Sequence, residues 1–142
     1  MIVYVAGSSV EHERCAAFMR QVEQLGHTIA LDWTVQVRAA LAEGRKDSEL
    51  SMLTRQTIAQ DDADAVERCN LFVLLSPFDA PSPGCFIEFG MACVQDPFDT
   101  QRCVAVVRDV GARDSLFFGL ADKFFSTAAE ALEWIGSAAR SS

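Results

Sequence analysis

The amino-acid sequence predicts an α/β protein built on a doubly wound parallel sheet of about five strands. Three observations carry this. Short β-branched or wholly apolar runs recur at Ile2–Ala6, Leu71–Leu75 and Cys103–Val107, and stretches with apolar residues at helical spacing lie between them. Leu71–Leu75 also contains no polar residue, as a central parallel strand covered on both faces requires. At 142 residues, half of them hydrophobic, the chain is expected to form one domain over 1–142.

Taken in order, Ile2–Ala6 reads as a buried strand closed by Gly7-Ser8. Residues 11–25 place Ala16, Phe18, Met19, Val22 and Leu25 on one helical stripe that stops at Gly26, a residue suited to a left-handed helix end. Residues 28–33 read as a second strand, and the charged stretch up to Asp47 as holding a short helix. From Ser48 the helical period returns, with Leu50, Leu53, Thr57, Ile58, Asp62, Val66 and Cys69 near one stripe. Leu71–Leu75 follows, then a loop over 76–84 dictated by Pro77, Pro81 and Pro83. A helix bearing Glu88, the strand Cys103–Val107, a short extended piece at Lys123–Phe125 and a last helix opened by a Thr127-x-x-Glu130 capping box complete the chain. If the strand order is 2-1-3-4-5, a ligand crevice lies between the loops after strands one and three. Those loops are Gly7-Ser8-Ser9 and the segment from Ser76 to Glu88.

The composition narrows the function classes. A net charge of −8 argues against nucleic acid and anionic membrane as partners, since either needs a basic footprint. A small molecule or a protein fits better. Cys15, Cys69, Cys85, Cys93 and Cys103 are odd in number and form no C-x-x-C pair, so they read as buried thiols of a cytoplasmic protein and not as a metal or disulfide framework. No metal and no cofactor are expected. No apolar stretch is long enough to span a membrane.

Glu88 is the lone carboxylate in Cys85-Phe86-Ile87-Glu88-Phe89-Gly90-Met91-Ala92-Cys93-Val94. Burying an unpaired carboxylate costs several kcal/mol, so it is either on the exposed side of its helix or there for a reason. Gly84 ahead of that helix would place Glu88 in or near a first turn whose free N–H groups favour an ionised acid. Asp62 projects from the core stripe if its helix is continuous. Alternatively Asp61, Asp62 and Asp64 cap a new helix from Ala63, and Asp61 competes with Asp62 as the site acid. Tyr4, the only tyrosine, stands in an aliphatic strand; a core tyrosine is the commoner explanation, and its hydroxyl needs a partner if buried.

Tyr4-Val5-Ala6-Gly7-Ser8, Asp62 ahead of the third strand, and Ser82-x-Gly84-x-x-x-Glu88-x-Gly90-x-Ala92 together resemble the nucleoside 2-deoxyribosyltransferase superfamily. Within it the pattern is most similar to the branch of 2'-deoxynucleoside 5'-phosphate N-hydrolases. The resemblance implies a Rossmann-like domain that cleaves the N-glycosidic bond of a nucleoside or nucleotide, in a homodimer. Glu88 matches the nucleophile that forms a covalent glycosyl-enzyme, Asp62 the acid that serves the departing base, and Tyr4 the hydroxyl that holds the nucleophile. Gly7, Ser8, Ser82 and Gly84 match substrate-binding loop positions. The chain departs from the hydrolases after Gly7-Ser8, where Ser9-Val10-Glu11-His12-Glu13-Arg14 replaces a basic, Gly-rich continuation; two acids there would repel a phosphate, and Arg14 is a distant cationic candidate. Against this, Ser82 matches the nucleotide branch, where the deoxyribosyltransferases carry an acid that binds the 5'-hydroxyl, so the resemblance points both ways on a 5'-phosphate. Base exchange by a transferase and a non-catalytic nucleotide sensor are the alternatives. His12 and His27 are expected as loop or surface imidazoles, Trp33 as a cap on the core, and Phe117-Phe118 as a cover over the site or a partner subunit.

Overall fold

In the computed structural model, which describes residues 1–79, 82–94 and 102–140, β1 (Ile2–Ala6) is an interior strand. β2 (Thr28–Ile29) lies on one side of it and β3 (Leu71–Leu75) on the other, followed by β4 (Cys103–Val107) and β5 (Lys123–Phe125). All neighbours are parallel and the order is β2-β1-β3-β4-β5, as the sequence predicts. Val3 lies opposite Leu71 and Ala6 opposite Leu74, while Leu71 to Leu75 pair with Cys103 to Val107. Strand-to-strand register therefore brings the carboxyl ends of β1 and β3 to one edge.

Successive strand side chains face opposite layers. Val3, Val5, Leu71, Val73, Leu75, Ala105 and Val107 point to the side covered by α1 (His12–Gln24) and α5 (Ala128–Arg140). Tyr4, Ala6, Phe72, Leu74, Val104 and Val106 point to the side covered by α3 (Met52–Arg68) and α4 (Pro83–Cys93). Parity alone thus delivers Tyr4 to the layer that holds Asp62 and Glu88.

The helices begin and end where local chemistry allows. α1 closes with Gly26 at φ 88°, Gly26 N–H donating to the Glu23 carbonyl at 2.9 Å and His27 N–H to Val22 at 3.3 Å. This is a Schellman termination, which favours glycine at that φ. α3 is capped by Ser51, whose Oγ accepts from Thr54 N–H, and runs unbroken through Asp62. A new helix opening at Ala63 is therefore ruled out. The stripe expected from Leu50 onward is buried only late: Leu53 is exposed, Ile58 partly buried, and Ala65 and Val66 are core. The capping box of α5 is half realised, because Glu130 N–H donates to Thr127 Oγ1 while Glu130 Oε2 accepts from Ser126 N–H, one residue earlier than the motif requires.

Several expectations are corrected. The second strand pairs only at Thr28–Ile29 and does not reach Trp33. Asp32 Oδ1 accepts from Thr34 N–H and Oγ1, which turns the chain into α2 (Thr34–Ala42), and the Trp33 indole turns back to donate to the Val5 carbonyl at 2.8 Å. That carbonyl lies beyond the end of the short β2, so Trp33 supplies the bond a longer strand would have made. The loop after β3 ends at Ser82, because Pro83 takes the first helical position, where a missing N–H costs nothing; Ala80 and Pro81 lie outside the described residues. His27 is buried, between the Met1 amino group and the Ile135 carbonyl. Cys15, Cys69 and Cys85 are buried, whereas Cys93 and Cys103 are only partly so.

Gly7, where β1 gives way to the crevice, has a packing reason. A Cβ placed there would lie 2.4 Å from Cys15 Sγ, itself fully buried. Gly7→Ala is expected to destabilise the fold by about 1–3 kcal/mol through overpacking, and Gly7→Ala with Cys15→Ala to recover most of the loss. Urea midpoints of the three proteins check this; equal midpoints for wild type and Gly7→Ala would show that the contact yields freely.

Candidate functional site

Tyr4 is fully buried, its ring stacked on Phe72 at 5.7 Å between centroids. Phe72 in turn meets Phe89 of α4. Only the phenolic hydroxyl reaches a polar partner, donating to Glu88 Oε1 at 3.0 Å across 84 residues of sequence. A buried tyrosine hydroxyl normally finds an acceptor, and a half-buried carboxylate needs a donor; each supplies the other.

Glu88 is not in the first turn of its helix. α4 starts at Pro83, and Glu88 follows one and a half turns later, beyond the free N–H groups. What acts on it is burial. Loss of water first, and the Asp62 charge second, push its carboxyl from the ordinary 4.5 up to about 7, while the Tyr4 hydrogen bond works the other way. Asp62, half-buried on α3, is pushed up to about 6 by burial and by the neighbouring Asp61. Asp61 itself is exposed, so of the two acids Asp62 is the one turned inward. The Tyr4 phenol is driven well above its usual range by burial and by the Glu88 and Asp62 charges, and it stays a neutral donor at any working pH. Tyr4, Asp62 and Glu88 therefore form one electrostatically coupled group.

The loop residues take different parts. Ser8 is buried and its Oγ accepts from Val10 N–H, capping the 3₁₀ turn Ser9–Glu11. Ser82 is buried at the start of α4 but makes no capping bond to that helix. A Cβ on Gly84, now the second residue of α4, would meet nothing within 4 Å, so the space beside it is open. Gly7 serves packing against Cys15, as above.

One charged knot was not anticipated from sequence. Arg14 Nη1 donates to Glu11 Oε1 at 2.9 Å and to the Ser76 carbonyl at 3.2 Å, and Nη2 donates to Asp109 Oδ2 at 2.6 Å. Glu11 Oε2 accepts from Phe78 N–H at 3.1 Å, and Asp109 Oδ1 from Ala128 N–H at 3.2 Å. The loops after β1, β3 and β4 and the start of α5 are thus tied at the edge where the crevice opens. Arg14 is held by two carboxylates rather than left as a free cation. The i, i+3 spacing of Glu11 and Arg14 was a visible signal for the first pair; nothing in the sequence pointed to Asp109. Trp33 is bound to Val5 and packs against the core. Phe118 is buried and Phe117 exposed. Phe117 helps line a pocket of about 410 Å³ with Phe86, Phe89, Gly90 and Leu120. Phe86 and Gly90 each lie two residues from Glu88 and so on another side of α4, and the pocket does not include the carboxylate. Among the described residues no cluster of three metal-ligating side chains occurs, and no helix is long and apolar enough to cross a membrane.

No protein-family model matches the chain, and no curated protein matches its sequence. Its fold is similar to that of the CMP N-glycosidase BcmB of Clostridium botulinum, at 19% identity and a TM-score of 0.59, over 95% of this chain and 98% of that one. It is also similar to a conserved protein from Enterococcus faecalis V583, at 18% identity and a TM-score of 0.65, over 97% and 98% of the two chains. At such identities the likeness speaks for the fold: a parallel α/β domain resembling an N-glycosidase.

The raised carboxyls make stability depend on pH. A native acid that holds its proton more tightly than the unfolded chain stabilises the fold fully below its unfolded value, and this contribution is lost as pH rises through the native one. For Glu88 the loss runs from about 4.5 to about 7 and for Asp62 from about 3.8 to about 6. Glu88→Gln is expected to be more stable than wild type by about 1–3 kcal/mol near pH 8, with the gap closing near pH 4. Tyr4→Phe removes the one contact that lowers the Glu88 value and should steepen the loss. Urea unfolding across this range tests both; a Glu88→Gln protein with the wild-type pH slope would contradict the assignment.

Proposed function

We propose that the protein is an N-glycosidase that cleaves the bond between base and sugar in a nucleoside or nucleoside 5'-monophosphate, with Glu88 as nucleophile. The observation that carries this reading is the half-buried Glu88 carboxylate held by the Tyr4 hydroxyl beside the inward acid Asp62. The fold shared with a CMP N-glycosidase supports it. Two carboxyls with separate roles are what glycosidic cleavage through a covalent intermediate uses.

In this reading the sugar sits with its anomeric carbon against the Glu88 oxygen that Tyr4 does not hold. As the C–N bond breaks, positive charge spreads over the ring oxygen and anomeric carbon, and the fixed carboxylate stabilises it before bonding to it. The base leaves with the bonding pair and takes a proton from Asp62. Glu88 is then a glycosyl ester. Asp62, now a carboxylate, removes a proton from water, whose oxygen attacks the anomeric carbon and returns Glu88 to its ionised form with release of the free sugar or sugar phosphate. An incoming base in place of water would give transfer instead. Tyr4 keeps the nucleophile oriented and, as a neutral donor, favours its charged form. Ser8, Ser82, Gly7 and Gly84 frame the sugar in the crevice.

The working form has one proton on the pair, with Glu88 ionised and Asp62 protonated; because Glu88 holds its proton more tightly, this is the minor of the two singly protonated arrangements, and a bound sugar with developing positive charge draws the pair into it. Base release, expressed as kcat/KM, is expected to peak between about pH 6 and pH 7 and to fall on both sides as the pair gains a second proton or loses its last. Glu88→Ala should lose at least about a thousandfold, while Tyr4→Phe should lose about tenfold or more and shift the alkaline limb upward, since the last proton leaves from Glu88. Chromatography of free base across a panel of nucleosides and nucleotides measures this. Undiminished release by Glu88→Ala would remove the mechanism.

A further inference from the structure

Glu11 does something unusual for an acid at the mouth of this crevice. It stands at the end of the 3₁₀ turn that follows β1, and its side chain is largely buried. Each of its two oxygens has a different partner: Oε1 accepts from the Arg14 guanidinium and Oε2 from the Phe78 backbone N–H in the loop after β3. A guanidinium and a backbone N–H converging between two loops are the donors that an anionic substituent of a ligand would use. Here a carboxylate of the chain itself occupies them. The other arm of Arg14 is taken by Asp109, so two carboxylates face one guanidinium and the knot carries a net negative charge. Of the other cations near this edge, Arg108 pairs with Asp114 at 3.6 Å and donates to the Ala112 carbonyl, and Arg113 donates to the Asp79 carbonyl and lines the pocket on the flank of α4 that excludes Glu88.

The knot is tied to the loop that leads from β3 into α4, the helix that carries Glu88. The Cys85 thiol, on the first turn of α4, is pushed up to about 12 by burial, with the Glu88 and Glu11 charges both contributing. The same two carboxylates also raise the Cys15 thiol beneath Gly7. Glu11 and Glu88 thus lie within electrostatic reach of the same two side chains, one beneath each crevice loop.

We propose that Glu11 is a specificity residue. Its carboxylate fills from within the chain the anion position between the loops after β1 and β3, so that the site accepts nucleosides with an uncharged 5' end and rejects their 5'-monophosphates. This rests on the N-glycosidase reading of the Glu88 site and selects one of the two substrate classes that reading leaves open. A phosphate entering here meets like charge and finds the donors taken; a 5'-hydroxyl can donate to a Glu11 oxygen. Glu11→Gln keeps the size of the side chain and removes the charge, leaving Arg14 paired with Asp109.

The test compares a nucleoside with its own 5'-monophosphate, on wild type and on Glu11→Gln, in two assays. Base release is expected to favour the nucleoside by at least about tenfold in kcat/KM for wild type, and Glu11→Gln to shrink or reverse that ratio by about tenfold. Ligand-dependent thermal shifts on Glu88→Gln, which binds without turnover, should show the same order, with the nucleoside stabilising more than the monophosphate. A wild type that prefers the monophosphate overturns the role of Glu11 while leaving the N-glycosidase reading intact. An unchanged ratio in Glu11→Gln does the same. If no base is released from either compound, that reading fails, and the thermal shifts judge Glu11 alone: a larger shift with the monophosphate, or none with either ligand, overturns it. Should Glu11→Gln not fold, the wild-type preference and the Glu88→Gln shifts decide.

Discussion

The structure around the crevice depends on one hydrogen bond, from the Tyr4 hydroxyl to Glu88, made inside an otherwise apolar layer. A carboxylate on this layer loses much of its hydration, and without a donor it would turn outward or stay protonated. Tyr4 is a well-suited donor for this position because its ring belongs to the core and only its tip is polar. Holding the pair requires β1 to present its second layer of side chains to α4, and α4 to start at Pro83 so that Glu88 falls on the rim of its buried face. The five-strand order places these two elements side by side.

A parallel sheet of this kind leaves loops and helix starts at the carboxyl ends of its strands, and the order reverses between β1 and β3. Such an edge is held together only weakly by the sheet. Here Arg14 draws together Glu11, Ser76 and Asp109, and Asp109 continues to the start of α5. The same contacts that order the rim also decide its charge. Under the proposed role of Glu11, positioning and selectivity fall to one cluster, because the groups able to receive an anion are also those that fasten the loops.

Much of this was legible in the sequence. Strand positions followed from Ile2–Ala6, Leu71–Leu75 and Cys103–Val107, whose composition admits little else, and a doubly wound sheet followed from their alternation with helices, the order 2-1-3-4-5 being one of the arrangements that alternation allows. The grouping of Tyr4, Asp62 and Glu88 was legible because each is a polar residue in an apolar pattern, and because the motifs resemble a family that uses such residues. What was not legible depends on contacts far apart in the chain. Trp33 leaves the strand because Val5 offers a carbonyl, His27 is buried by Met1 and Ile135, and Arg14 is neutralised by an aspartate 95 residues away. The start of α4 was misplaced by two residues because three prolines argued for a loop, although one of them opens the helix. That shift also moved Glu88 out of reach of the helix N-terminus and left burial as the cause of its raised pKa.

The central claim is that the Glu88 carboxylate bonds to the sugar. It is tested most directly by quenching the protein in acid during turnover of a deoxynucleoside and reading the masses of its peptides. The account predicts a peptide containing Glu88 that gains one sugar less a water, a gain that is absent from Glu88→Gln and from protein mixed with free base alone. Base release at the wild-type rate with no such adduct in a rapid-quench series, or the adduct on any other residue, would contradict it.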